Sequence, residues 1–167
     1  MKKGFTLLEL LVVVAILGIV MVAITQLLAS VLSNSGKSAA SQSVKSSGQF
    51  ALAMIQKTLR RAKSASCTAN SLTAVVAETS GDVTYTFTWV GNPTWSLNKT
   101  DSISGIPSTV NDSTVQVTAF ECTLLRSGTG SSPTLIWVNL TLSKSGISSD
   151  QRAVSQDFGT TVSLRTY

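Results

Sequence analysis

Apolar positions divide the chain into three stretches with different periodicities. The first is an apolar run with no charged residue between Glu9 and Lys37. As a helix, residues 5–32 would be about 42 Å long, which exceeds the hydrocarbon thickness of roughly 30 Å. This stretch therefore predicts a membrane-spanning helix. Glu9 lies near its start as a carboxylate that is costly in lipid and needs a compensating partner.

The second stretch repeats apolar residues at helical spacing and predicts an amphipathic continuation of the helix over residues 33–65. Its stripe consists of Val44, Ala51, Ile55, Leu59 and Ala62. Residues 33–38 have weak helix propensity and are compatible with either one long rod or a break. Gly18, inside the first stretch, is compatible with either local loosening of the helix or close helix packing.

After residue 65 the pattern alternates and predicts strands. Residues 82–89 place apolar and aromatic side chains on one face and threonines on the other, with residues 72–76 as a hairpin partner. Alternation also predicts strands at 114–120, at 135–142 and at 154–164, the last with a break at Gly159 as an open alternative, and loops at 98–113 and 127–133. The predicted core face of the strand at 135–142 is Ile136, Val138, Leu140 and Leu142. The expected fold is α+β, a long N-terminal helix packed on an antiparallel β-sheet, with residues 66–167 as the globular domain.

Composition argues against several kinds of chemistry. The chain has 167 residues, a net charge of +5 and no histidine, which excludes Ser-His-Asp and Cys-His mechanisms and removes the commonest metal ligand. The two cysteines form no zinc signature, and the aspartates lack calcium-loop spacing. We therefore expect a structural protein that is not an enzyme and carries no cofactor.

Two smaller features leave alternatives open. Cys67 and Cys122 either form a disulfide, worth about 4 kcal/mol on the chain-entropy model, or remain two buried thiols. Arg60, Arg61 and Lys63 form a short basic cluster. Such a cluster on a helix is usually a solvated face, so it supports a nucleic-acid partner only weakly.

The amino end, MKKGFTLLEL, resembles the class III signal sequence of type IV pilins and type II secretion pseudopilins. The resemblance implies that residues 1–4 are a leader removed by a prepilin peptidase after Gly4. It implies that Phe5 is then N-methylated and that Glu9 pairs with the N-terminal amine of a neighbouring subunit, which selects the axial register. An ordinary secretory signal would instead be cleaved after the apolar run, and it would leave Glu9 unexplained.

The resemblance also implies where the protein lies and what it contacts. Residues 5–32 would be the transmembrane and assembly helix of a single-pass protein of the cytoplasmic membrane, with the C-terminal domain outside the cytoplasm. The implied partners are other pilin or pseudopilin subunits, the peptidase, the inner-membrane assembly platform and the lipid bilayer. The chain would later move from the membrane into a pilus or pseudopilus.

Residues 50–61 and 157–165 further resemble J-type minor pseudopilins and related minor pilins. This looser resemblance implies a minor structural subunit. Two other functions stay open: a minor pilin at the filament tip with a DNA-uptake or adhesive role, and a membrane-anchored domain that does not assemble.

Overall fold

The computed structural model describes residues 6–79, 81–92, 95–126, 134–144 and 154–164. Within these residues a long helix is followed by strands that pair antiparallel. The elements are α1 Leu7–Arg61, β1 Ala62–Thr68, β2 Ser71–Glu78, β3 Gly81–Val90, β4 Ser96–Asp101, β5 Ser108–Thr109, β6 Gln116–Arg126, β7 Leu135–Lys144 and β8 Val154–Ser163. The predicted α+β fold, with a long N-terminal helix packed against antiparallel sheet, is confirmed.

Helix α1 is continuous, both at Gly18 and through residues 33–38. It ends at Arg61, where Ala62 turns to extended geometry (φ −75°, ψ 137°) while its N–H still donates to the carbonyl of Leu59. Residues 62–65, predicted as the last helical turn, instead begin β1. Ala62 is buried although it lies on β1, so its position in the predicted helical stripe did not reveal that the helix ends at Arg61.

Two sheets occur where the pattern predicted one. The first is five-stranded, in the order β1-β2-β3-β4-β5, and the second is three-stranded, in the order β6-β7-β8. The predicted hairpin is confirmed as β2 and β3, which close at the pair Glu78 and Gly81. Gly81 has φ +125°, a conformation that residues with a side chain rarely adopt.

The strand predictions need three corrections. Residues 98–113, predicted as a loop, contain the last four residues of β4 and all of β5. β4 and β5 lie at one edge of the five-stranded sheet, where neither face of a strand needs to be strongly apolar. Most of their side chains are therefore polar. The strand predicted at 114–120 begins at Gln116 and continues to Arg126, and β8 runs through Gly159 without a break. The predicted loop at 127–133 lies outside the described residues.

The core lies between the second half of α1 and the two sheets. The predicted helical stripe is fully buried, and so is the predicted face of β7. Gly48 shows how closely the helix approaches β8, because a Cβ added there would lie 2.6 Å from Cζ of Phe158. A side chain at position 48 would therefore displace the Phe158 ring.

The two cysteines are bonded to each other. Cys67 lies on β1 and Cys122 on β6, with 5.5 Å between their Cα atoms. Trp89 adds a second link between the sheets, since its Nε1–H donates to the carbonyl of Val117 at 2.7 Å. Covalent and polar links thus join the two sheets, which have no strand-to-strand pairing with each other among the described residues.

Candidate functional site

The amino end of α1 is capped by Thr6. Thr6 is extended (φ −77°, ψ 149°), and its hydroxyl accepts a hydrogen bond from the N–H of Glu9 at 3.3 Å. This bond satisfies one of the backbone donors that a helix leaves unpaired at its start. The spacing Thr-x-x-Glu matches the capping box, a signal that the sequence analysis missed. The carboxylate-bearing residue of the motif is therefore also the third residue of the helix.

Glu9 lies in the first helical turn, where the helix dipole favours a negative charge. Among the described residues it takes part in no ion pair, because the two pairs present are Arg61–Glu78 and Lys63–Asp82. The next charged residue along α1 is Lys37, about 42 Å away along the helix axis. A cation that compensates Glu9 must therefore come from residues 1–5, which lie outside the described residues and include Gly4 and Phe5, or from another molecule.

The first half of α1 leaves its apolar side chains uncovered. From Leu7 to Leu32 its large apolar side chains are between 45% and 83% exposed. The helix contains a window with mean hydropathy 3.1, none of it buried, and is long and apolar enough to cross a membrane. An exposed apolar surface of this size is far larger than a monomeric soluble protein normally shows, so it requires lipid or other helices as cover.

Side-chain hydrogen bonds between α1 and the described part of the globular domain begin at a row of serines. The hydroxyl of Ser41 accepts from Gln156 at 3.3 Å, that of Ser43 from Lys144 at 3.2 Å, and that of Ser47 from the N–H of Asp112 at 3.2 Å. The sequence analysis noted weak helix propensity just before this stretch but not the docking role of these serines. Residues 7–40 therefore project as a segment about 50 Å long, which we call the projecting half. Residues 41–61 are the docked half.

The basic cluster at the end of α1 is largely neutralised. Arg61 pairs with Glu78 at 3.3 Å, and Lys63 pairs with Asp82 at 2.6 Å. Exposed pairs of this kind contribute roughly 0–1 kcal/mol, but they place a carboxylate beside each cation. Arg60 faces a different part of the surface, beside the end of β8. The three cations thus form no contiguous patch for a phosphate backbone.

A groove of about 360 Å³ lies between the docked half and the five-stranded sheet. Tyr85 lines it and donates its hydroxyl to Glu78 at 2.9 Å, while the Lys99 ammonium lies 4.3 Å from the centre of the Tyr85 ring. The bond to Glu78, followed by burial and the charge of Glu78, raises the pKa of Tyr85. The described residues contain no group of three potential metal ligands. The groove therefore combines apolar packing with the Tyr85–Glu78 hydrogen bond and the charge of Lys99.

Comparison with known proteins identifies the amino end alone. Residues 1–25 match the family described as the prokaryotic N-terminal methylation motif. No curated protein and no solved structure has a significant match to the chain. The matched residues include the basic leader, Glu9 and the first part of the apolar run, whereas no match covers the globular domain.

Proposed function

We propose that this type IV pilin-like protein is a structural subunit, of the minor kind, of a type IV pilus or type II secretion pseudopilus. The observation that carries the proposal is that the methylation motif leads into a projecting helix whose residues 10–24 are all apolar and uncovered. The motif that directs processing therefore lies on the same segment as the apolar surface that requires lipid or other helices as cover. The motif and the apolar helix together indicate membrane anchoring and processing by a prepilin peptidase.

Processing would give the chain its assembly-competent end. Cleavage after Gly4 leaves Phe5 with a free amine, immediately before the helix cap at Thr6. Methylation of that amine keeps its positive charge. The processed chain therefore carries a cation and, at Glu9, an anion within the same short segment.

Glu9 would set the register between neighbouring subunits. A carboxylate in lipid is costly, on the order of 2.5–3.5 kcal/mol at a bilayer centre and less near an interface. Pairing with the amine of a neighbour's Phe5 removes that penalty inside a filament. A buried pair contributes little net stability but disfavours every arrangement in which it is broken. The pair therefore selects a register, as a lone polar residue does in a coiled-coil core.

The minor role rests on the J-type resemblance of residues 50–61 and 157–165, which no comparison supports and which stays a prediction. Minor subunits of this kind prime assembly at the filament tip, in contact with other subunits and the inner-membrane platform. A DNA-uptake role gains no support, because Glu78 and Asp82 neutralise two of the three cations in the basic cluster.

Mass spectrometry of the protein from its native host tests the processing step. We expect a chain that begins at methylated Phe5, and a chain that retains Met1 when the prepilin peptidase gene is deleted. An intact leader in cells that contain the peptidase would contradict the proposal.

Replacing Glu9 tests the assembly step separately. Glu9→Ala and Glu9→Gln should leave membrane insertion intact but remove the protein from sheared filaments, because neither side chain pairs with an amine. Glu78→Gln is the matched control, since it removes a carboxylate from the globular domain and should leave incorporation unchanged. Filaments that retain both Glu9 variants at the level of the original protein would contradict a register role.

A further inference from the structure

The outer face of the three-stranded sheet carries a partly exposed tryptophan. Alternate residues of β7 point into the core, so Trp137 and Asn139 lie on the opposite, outward face. Trp137 is in register with Thr123 on β6 and Thr161 on β8, both exposed. A partly exposed aromatic ring therefore sits at the centre of a polar surface.

Gly159 opens space beside this ring. It is the partner of Asn139 in the register between β7 and β8. A Cβ added to Gly159 would lie 3.6 Å from Oδ1 of Asn139 and 3.8 Å from Nε1 of Trp137. The indole N–H edge and the side-chain amide thus converge over a position that has no side chain of its own.

The polar atoms at this position have no hydrogen-bond partner within the described part of the chain. Trp89, by contrast, donates its indole N–H to the carbonyl of Val117 at 2.7 Å. No such bond is formed by Nε1 of Trp137 or by the amide of Asn139, although both residues are partly buried. Tryptophan N–H groups usually find a partner when they are buried, so this pair is free to bind an external ligand.

We propose that Trp137, Asn139 and Gly159 form a binding site for a neutral saccharide. One face of a sugar ring consists of C–H groups, which stack on the electron-rich face of an indole. Hydroxyls at the edge of the same ring both donate and accept hydrogen bonds. The Asn139 amide offers two donors and an acceptor, and the indole N–H offers a further donor. These groups together meet the requirements of a sugar hydroxyl pair beside a stacked ring.

Charge favours a saccharide over a nucleic acid at this face. Single-stranded nucleic acid also stacks on aromatic rings, but it requires a positively charged groove along its backbone. Here Glu121 is the partner of Asn139, and Asp157 accepts from Thr141 at 2.7 Å on the same face. Arg126 is the one cation on the described part of these strands that shares the outward face near Trp137. The carboxylates would repel phosphates, whereas a neutral sugar accepts bonds beside them without penalty.

A ring over a glycine also shields the neighbouring backbone, which stabilises a sheet without any ligand. That role needs an aromatic ring but neither the indole N–H nor the Asn139 amide. Trp137→Phe keeps a ring at this position and removes the donor, so it separates the two roles. Asn139→Ala removes the amide and leaves the ring in place.

The test uses the full processed chain in a detergent without a sugar headgroup, such as lauryldimethylamine oxide. Neutral oligosaccharides (cellotriose, maltotriose, triacetylchitotriose and lacto-N-triose) are titrated to millimolar concentration while the indole N–H signals are recorded by NMR. We expect at least one sugar to shift the Trp137 signal and to leave the Trp89 signal in place. Asn139→Ala and Trp137→Phe should each weaken that affinity about tenfold, the effect of one lost polar contact. Because Trp137→Phe has no indole signal at this position, its affinity is read from the backbone amide signal of Gly159, which is also followed in the original chain.

Thr86→Ala is the matched control, because Thr86 lies on the outer face of the other sheet and should not affect binding. The proposal is overturned if none of the sugars moves the Trp137 signal, or if Asn139→Ala binds as tightly as the original chain. It is equally overturned if a short oligothymidylate moves the signal and the sugars do not. These measurements need no filament, so their result is independent of the assembly role.

Discussion

The two halves of α1 share one continuous backbone but are covered in different ways. Ile16, in the projecting half, is 55% exposed, whereas Ile55, in the docked half, is fully buried. The docked half is covered by the protein's own sheets, chiefly β8 and β7. From Leu7 to Leu32 the large apolar side chains of the projecting half stay uncovered. The same residue type in the same secondary structure therefore contributes to intramolecular stability in one half only.

The distribution of apolar residues around the helix reflects this difference. The docked half has one apolar stripe, with charged residues such as Lys45, Lys57 and Arg60 off it. Between Leu10 and Ile24 the projecting half is apolar on all sides, which is typical of a helix surrounded by lipid or by other helices. A helix surrounded by apolar material needs no polar face, and Glu9 is the one charged residue that the described part of this helix carries before Lys37.

The largest expected effect comes from truncating the same residue type in each half. Ile55→Ala should reduce the free energy of unfolding of the globular domain by about 2–5 kcal/mol, because it leaves a cavity in the core. Ile16→Ala should change it by less than about 0.5 kcal/mol, since that side chain is 55% exposed on the projecting half. Urea unfolding of the processed chain in detergent, followed by near-UV circular dichroism, measures both. Equal losses for the two variants would contradict the division into projecting and docked halves.

Glycine substitutions sharpen the comparison with a smaller effect. Gly48→Ala should destabilise the domain by about 1–3 kcal/mol, because the new Cβ collides with the Phe158 ring. At Gly18 an added Cβ meets nothing within 4 Å, so Gly18→Ala should leave domain stability unchanged and strengthen the helix by at most about 1 kcal/mol.

Filament incorporation then distinguishes the two readings of Gly18. If neighbouring helices pack closely at this glycine, Gly18→Ala should reduce incorporation while the monomer stays stable. If the glycine instead loosens the helix, incorporation should follow helix propensity and not side-chain size. Gly18→Ser and Gly18→Ala add side chains of similar size but different helix propensity, so the two variants should then differ in incorporation. If Gly18→Ala lowered the free energy of unfolding of the globular domain in the processed chain, the projecting half would contact the domain.

The smallest expected effect is a pH response of the globular domain, beside the docked half. Hydrogen bonds from the N–H and hydroxyl of Thr114, at 2.7 and 2.8 Å, lower the pKa of Asp112. A lowered pKa stabilises the fold above the unfolded-state value of about 3.9, and this contribution is lost as the pH falls through the folded-state value. An NMR titration should place the Asp112 midpoint below the ordinary value.

Asp112→Asn should remove the pH response of the Thr114 amide signal over the same interval. Signals of the projecting half should stay unchanged throughout, because the hydrogen bond from the Asp112 N–H to α1 is accepted by Ser47, in the docked half. A midpoint for Asp112 at or above the ordinary value would contradict the lowered pKa.

The predictions from sequence succeeded where the pattern is local and repeated. The helical stripe through Ile55, the hairpin of β2 and β3, and the buried face of β7 all follow from periodicities within a single element. The motif around Glu9 was equally readable, because its residues are consecutive and the methylation motif spans them. The predictions failed at element ends and edges, such as β4 and β5, where polar side chains weaken the alternation.

The sequence by itself determined that a long apolar helix precedes a β-rich domain, and that a single carboxylate lies near the start of that helix. Both follow from sequence because charge and hydrophobic periodicity are properties of neighbouring residues. Only the tertiary structure decided that the strands divide into two sheets, that Cys67 reaches Cys122, and that Trp137 and Asn139 meet over Gly159. Each of these depends on strand register and on contacts between residues distant in the chain. Alternative pairings of similar strands bury similar apolar area, so local pattern alone does not choose between them.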